Sequence, residues 1–158
     1  MVQNLEIGYG AYSYEPCYAG KYTLDGAIEG KIPQYIYNTE MKKFMAVTNL
    51  AGTFYMNKNL KIAPEIPSTV DYMGYTFYGC ENLEKASVIP KNVSNVERTF
   101  YKCSKLEETP KILSNEITQM FQTFSNCNNL KKITNIPGGM RWSSIICRRR
   151  FSKLFEKY

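Results

Sequence analysis

TFYGCENLEKASVIPKNVSNVER, residues 76–98, runs directly into TFYKCSKLEETPKILSNEITQM, residues 99–120, and the second stretch repeats the plan of the first. The Thr-Phe pair that opens each one recurs at Thr53-Phe54, Thr76-Phe77, Thr99-Phe100 and Thr123-Phe124, in steps of 23, 23 and 24 residues. Its surroundings recur with it. Three residues after each Phe stand Asn57, Cys80, Cys103 and Cys127, and six after it Leu60, Leu83, Leu106 and Leu130. Seven before it stand Val47, Val70, Val93 and Ile117, and four before it Leu50, Met73, Val96 and Met120. Thirteen after it comes proline at Pro67, Pro90 and Pro137, with Leu113 in the third copy.

A unit of this length cannot close a core by itself. It buries its apolar side chains only by stacking on copies of itself, so each repeated position becomes a ladder running through a solenoid. Phe54, Phe77, Phe100 and Phe124 form one such ladder, the four leucines another. Within the unit, Leu83 to Pro90 predicts a brief strand that proline ends, because proline cannot donate to a ladder. The stretch Val93–Phe100 places apolar residues at i, i+3 and i+7. That spacing predicts a short helical turn on the outer side, with a second short strand as the alternative.

The Phe-x-x-Cys-x-x-Leu core followed by the Ile-Pro corner resembles the BspA-type leucine-rich repeats of bacterial surface proteins. The resemblance spans Val47 to Met140, and the upstream YTLDGAIEGKIPQYIYNTEMKKFMAVTNL is similar to the lead-in of such arrays. It implies a leucine-rich-repeat solenoid of short parallel β-strands with short helical or irregular outer segments. It also implies a cell-surface or secreted protein that adheres to a host or matrix partner. The first residues, MVQNLEIGYGAYSYEPC, carry no basic segment followed by an apolar run. They do not read as an export signal, which leaves a cytoplasmic placement open.

A solenoid needs its ends covered. Residues 34–37 and 43–47 flank Asn38-Thr39-Glu40 and predict a β-hairpin feeding the first repeat. The next Phe of the pattern is due near residue 147, where Cys147 stands. Beyond it, Phe151, Leu154, Phe155 and Tyr158 fall on one helical face among Arg148, Arg149, Arg150, Lys153 and Lys157, which predicts an amphipathic basic helix. A cap over the last repeat is the expected role; a membrane-surface or nucleic-acid contact, or a break of the pattern by truncation, are the alternatives. The chain therefore divides into an N-terminal cap over residues 1–46, an array of about four units over 47–140, and a basic C-terminal segment over 141–158.

Charge supports that division. Residues 1–130 hold 12 basic and 13 acidic groups, whereas residues 131–158 hold 8 basic and one acidic group. The formal net charge of +6 thus belongs to the tail. No nucleic-acid partner is expected for the array, and membrane contact is expected only through 141–158.

The sequence contains no histidine, which removes Ser-His and Cys-His nucleophiles and H-E-x-x-H metal sites together. Five cysteines include no Cys-x-x-Cys pair of the kind a structural zinc site wants, so no metal and no cofactor are expected. Cys80, Cys103 and Cys127 share one repeat position and read as buried small hydrophobes; Cys17 and Cys147 have no assignment. Glu84, Glu107 and Glu108 suggest glycosidase chemistry only at first sight. They sit at variable positions interleaved with Lys61, Lys85, Lys131 and Lys132, as a solvated mixed-charge face does.

No catalytic residue is expected. The expectation is a non-enzymatic module for a protein or glycan ligand, with an intracellular scaffold working through the basic tail as the alternative. The candidate binding face is the outward side of the strands: Ile62, Lys85, Glu108 and Lys132, with Ser87 and Thr134 beside them, next to Pro64 and Pro110. Tyr55, Tyr78 and Tyr101, each following a ladder Phe, form either a second exposed stripe or a cover over the ladder.

Overall fold

The structure is a computed structural model that describes residues 31–38, 42–138, 140 and 145. Its framework is a right-angled economy of backbone hydrogen bonds. Going along one coil, every second amide leaves for the next coil. Gly52, Phe54 and Met56 donate to the carbonyls of Gly74, Thr76 and Tyr78 at 3.2, 2.8 and 2.6 Å. The amides between them stay at home: Thr53, Tyr55 and Asn57 donate back to Leu50, Gly52 and Phe54 at about 3.0 Å and close successive turns. The same alternation recurs one coil on, where Tyr75, Phe77 and Gly79 donate to Glu97, Thr99 and Tyr101. It recurs again where Arg98, Phe100 and Lys102 donate to Phe121, Thr123 and Ser125.

Alternation of this kind requires the chain to reverse hand at intervals, and the dihedrals show where. Two residues before each Phe, at Gly52, Tyr75, Arg98 and Gln122, φ lies at 61, 60, 48 and 52°. Two residues after it, at Met56, Gly79, Lys102 and Asn126, φ lies at 58, 71, 60 and 64°. Each such left-handed residue other than glycine costs about 1–2 kcal/mol; at Met56, Tyr75, Arg98 and Lys102 the amide is held by a hydrogen bond to the next coil.

This arrangement corrects two expectations. The outer segment Val93–Phe100 is not a helical turn: it makes a single parallel bridge at Asn95 and then runs into consecutive turns over 97–102. The expected parallel strands shrink to single bridges in register. Asn49, Tyr72, Asn95 and Gln119 form one column of parallel bridges, Ile62 and Lys85 and then Glu108 and Lys132 pair in a second, and Ile89 with Ile112 lies in a third. Turns that consume alternate amides leave too few consecutive extended residues for a longer ladder. Among the described residues the named strands are β1 (Tyr35–Asn38) and β2 (Lys43–Ala46), an antiparallel hairpin that pairs Tyr35 with Ala46 and Asn38 with Lys43. Thr69 lies beside it, its hydroxyl donating to the Val47 carbonyl at 2.7 Å.

The ladders lie inside. Phe77, Phe100 and Phe124 are fully buried, and the rings from Phe54 to Phe124 stack at 5.4, 5.4 and 5.5 Å between centres. Leu83 and Leu106 are buried completely and Leu60 and Leu130 nearly so, as are the Val47–Val70–Val93–Ile117 and Leu50–Met73–Val96–Met120 columns. The Thr and Cys of the motif act across coils. Thr76, Thr99 and Thr123 donate to the carbonyls of Leu50, Met73 and Val96 in the preceding coil at 2.9, 2.7 and 2.8 Å. The thiols of Cys80, Cys103 and Cys127 donate to the carbonyls of Phe54, Phe77 and Phe100 at 3.0, 3.2 and 3.0 Å. At the far end, where the Phe of the pattern fails, Ile145 is fully buried and its carbonyl accepts from the Phe124 amide at 3.2 Å. The expected helix over 141–158 otherwise lies outside the described residues.

Removing one rung should cost the array what a core cavity costs. Phe100→Ala is expected to lower unfolding free energy by about 3–5 kcal/mol, while Ile62→Thr at a side chain 60% exposed changes it by no more than about 0.5 kcal/mol. Urea titrations of the two variants against the parent check the contrast, and equal losses would contradict the ladder.

Candidate functional site

The bridge column Ile62–Lys85–Glu108–Lys132 places its four side chains outward, and Thr134 joins them on the surface. Pro64 and Pro110 are buried behind that face. Ser87 contributes backbone to it but turns its hydroxyl inward, screened from solvent and without a hydrogen-bond partner among the described residues. The face is therefore uneven in chemistry: an exposed isoleucine at one end, then alternating charge.

Ion pairs cross it from coil to coil. Lys131 reaches Glu107 at 2.8 Å and Lys132 reaches Glu108 at 2.7 Å. The Thr134 hydroxyl also donates to Glu108, at 2.8 Å. These donors, Lys132 first, hold the Glu108 carboxyl below the usual carboxylate range. Lys131 and Lys132, counted with the basic tail when charges are summed along the chain, thus belong to the array and are neutralised by it. Each exposed pair adds little stability, about 0–1 kcal/mol; its effect is to fix where the carboxylates point.

Beside these pairs an open depression of about 870 Å³ is lined by Glu84, Lys85, Lys105, Glu107, Glu108 and Lys111 over Ala86, Thr109 and Pro110. Lys105, Lys111 and Asn129 were not singled out by sequence. They sit on either side of the predicted column, and only the coil geometry folds them around it. A glycosidase needs one carboxyl kept protonated as an acid. Glu108 is pushed the opposite way and Glu107 is engaged by Lys131, so neither of these two is arranged as that acid. Among the described residues no group of three or more side chains could hold a metal ion.

The tyrosine stripe resolves in favour of cover. Tyr55, Tyr78 and Tyr101 are half-buried and stack on one another at 4.8 Å, nearly parallel. Tyr78 has a stacked tyrosine on each face, and burial together with the flanking phenols raises its pKa. Next to it Arg98 lies between two rings, 5.7 Å from the centre of Tyr75 and 5.3 Å from that of Phe121, and donates to the Tyr75 hydroxyl at 2.5 Å. Gln122 accepts from its Nε at 2.8 Å. That cation is sandwiched and bonded already.

The model of the BspA type leucine rich repeat region matches residues 48–145 in six copies. The chain is also similar to a crystal structure of a leucine-rich repeat protein from Bacteroides ovatus, at 20% identity and a TM-score of 0.49 over 66% of this chain. The match spans 33% of that protein, so the chain corresponds to about a third of its length. No curated protein matches.

Two expectations follow from the buried polar groups. Burial pushes the Cys80 and Cys127 thiols up from 9.0 to about 12, and Cys103 well above 9.0. Below pH 9 folded and unfolded thiols all keep their protons; above it only the unfolded ones release them. Stability therefore falls as pH rises from about 9 toward about 12, each thiol adding about 1.4 kcal/mol per pH unit. Urea unfolding across that window should show a shallower fall in Cys103→Ala than in the parent. Ser87→Ala, which removes a hydroxyl that burial leaves unbonded, should raise stability by up to about 1 kcal/mol; a loss of that size would show the hydroxyl to be engaged.

Proposed function

Because the chain belongs to the BspA-type leucine-rich-repeat family, we propose that it is a non-catalytic binding module whose ligand lies across the Ile62–Lys85–Glu108–Lys132 face. The observation that carries this reading is the division of labour within each repeat. Residues that recur point inward or bond to the next coil, and the residues that vary stand outward in columns held by that framework. A rigid scaffold presenting variable side chains lowers the ordering cost of binding. The face, with Thr134 beside it and Ser87 shaping its floor, offers roughly 800 Å², the share one partner contributes to a standard interface.

The alternating charges beside the exposed Ile62 suit a protein ligand, which can meet an apolar contact and ion pairs on one surface. Family resemblance supports display on a bacterial surface and a role in adhesion.

Screening the full chain against arrays of matrix proteins and glycans tests the reading. Ligands found should lose about tenfold or more in affinity on combined Lys85→Ala, Glu108→Ala and Lys132→Ala substitution, as truncated hot-spot residues do. Lys91→Ala, exposed elsewhere, should leave binding unchanged. Equal losses in both variants, or no ligand on either array, would count against the face.

A further inference from the structure

The charge of the depression differs from the sum of its lining residues. Its walls hold three carboxylates, Glu84, Glu107 and Glu108, and three ammonium groups, Lys85, Lys105 and Lys111. On paper these cancel. Two of the carboxylates, however, are taken by lysines from outside the depression, Lys131 and Lys132. Lys85, Lys105 and Lys111 are all exposed, and none has an ion-pair or side-chain hydrogen-bond partner among the described residues; of the carboxylates, only Glu84 is similarly uncommitted. Three uncompensated cations against one anion make the depression locally basic, in an array whose summed charge is nearly zero.

The floor decides which anion fits. Ala86, Thr109 and Pro110 give it a short apolar and hydroxyl surface, with Asn129 and Thr134 at its edge. Its volume of about 870 Å³ falls in the range of roughly 300–1,000 Å³ typical of ligand sites, and its mouth is open. A polymer with a charge on every unit, such as a sulfated glycan or a nucleic acid, would set some of those charges against Glu84, the one lining carboxylate that no lysine of the described residues neutralises. A peptide can space its carboxylates so that they meet the lysines and place small side chains over the apolar floor. We propose that this depression docks an extended acidic peptide segment of a protein partner, with Lys85, Lys105 and Lys111 as the residues that read its carboxylates and Glu84 as the residue that rejects denser polyanions. The proposal rests on the reading of the face given above and narrows its ligand class.

The test uses the full chain and fluorescence anisotropy with three labelled probes: a short peptide alternating Glu and Ala, its Gln–Ala counterpart, and a heparin oligosaccharide of similar length. The acidic peptide should bind, the Gln–Ala peptide should not, and affinity should fall steeply between about 50 and 200 mM salt, as screening of exposed charges demands. Each exposed pair is worth roughly a factor of 1.5 to 5, so combined Lys85→Gln, Lys105→Gln and Lys111→Gln should weaken the peptide about tenfold. Combined Lys42→Gln, Lys43→Gln and Lys91→Gln makes the same change in net charge at exposed sites elsewhere and should leave it within a factor of two or so. Glu84→Gln should tighten the peptide and raise heparin binding, a gain that a purely structural role for Glu84 would not produce. Heparin binding as tight as the peptide in the parent, or equal losses in the two triple variants, overturns the proposal. Absence of peptide binding overturns it too. If an array ligand still depends on Lys85 and Glu108 in that case, the binding face stands and only its acidic ligand falls.

Discussion

Backbone amides of this chain have to be satisfied in coils too short and too sharply turned for helices or strands, and the rest of the structure follows from how that is done. Buried amides left unpaired are costly. The solution is to send alternate N–H groups forward to the next coil and to fold those between them back into turns, with a left-handed residue on each side of the Phe to make the reversal. Since half of each coil's donors depend on a neighbour, no coil is complete alone. The Phe, Leu and Val columns are the apolar counterpart of the same dependence.

This constraint explains residues that hydrophobicity does not. Thr76, Thr99 and Thr123 are as buried as the rings beside them because their hydroxyls reach the carbonyls of the previous coil. The cysteines of the motif do the same with their thiols, and in that setting their reactivity is suppressed along with their ionisation. Asn57, which replaces cysteine in the first of these coils, uses its side chain differently, accepting from the Asn59 amide at 3.0 Å. A position described by composition as small and apolar is in fact a position for a side chain that can bond to backbone.

With inward positions committed, variation is free only where side chains leave the coil. The outward residues also interact across coils, and those interactions change what the face offers. Lys131 and Lys132 neutralise Glu107 and Glu108; the tyrosines cover one another; Arg98 is held between Tyr75 and Phe121. What remains for a partner is the part of the surface that these contacts do not use. Lys85, Lys105 and Lys111, which line the depression, are among the residues that those contacts leave out.

The sequence by itself determined the period, the identity of the inward columns and the outward column from Ile62 to Lys132, because a 23- or 24-residue recurrence of Thr, Phe, Cys and Leu admits one stacking register. The absence of histidine likewise needed no coordinates. Three matters were decided only by the tertiary structure. The outer stretch Val93–Phe100 carries a helical spacing of apolar residues, yet it bridges both neighbouring coils at Asn95 and then turns, since bonding between coils outcompetes the local i to i+4 bond. The stripe of tyrosines reads equally as surface or cover until the stacking of coils sets the rings face to face, 4.8 Å between centres. The charge of the face cannot be obtained by counting, because which lysine neutralises which glutamate depends on residues 24 apart meeting across adjacent coils.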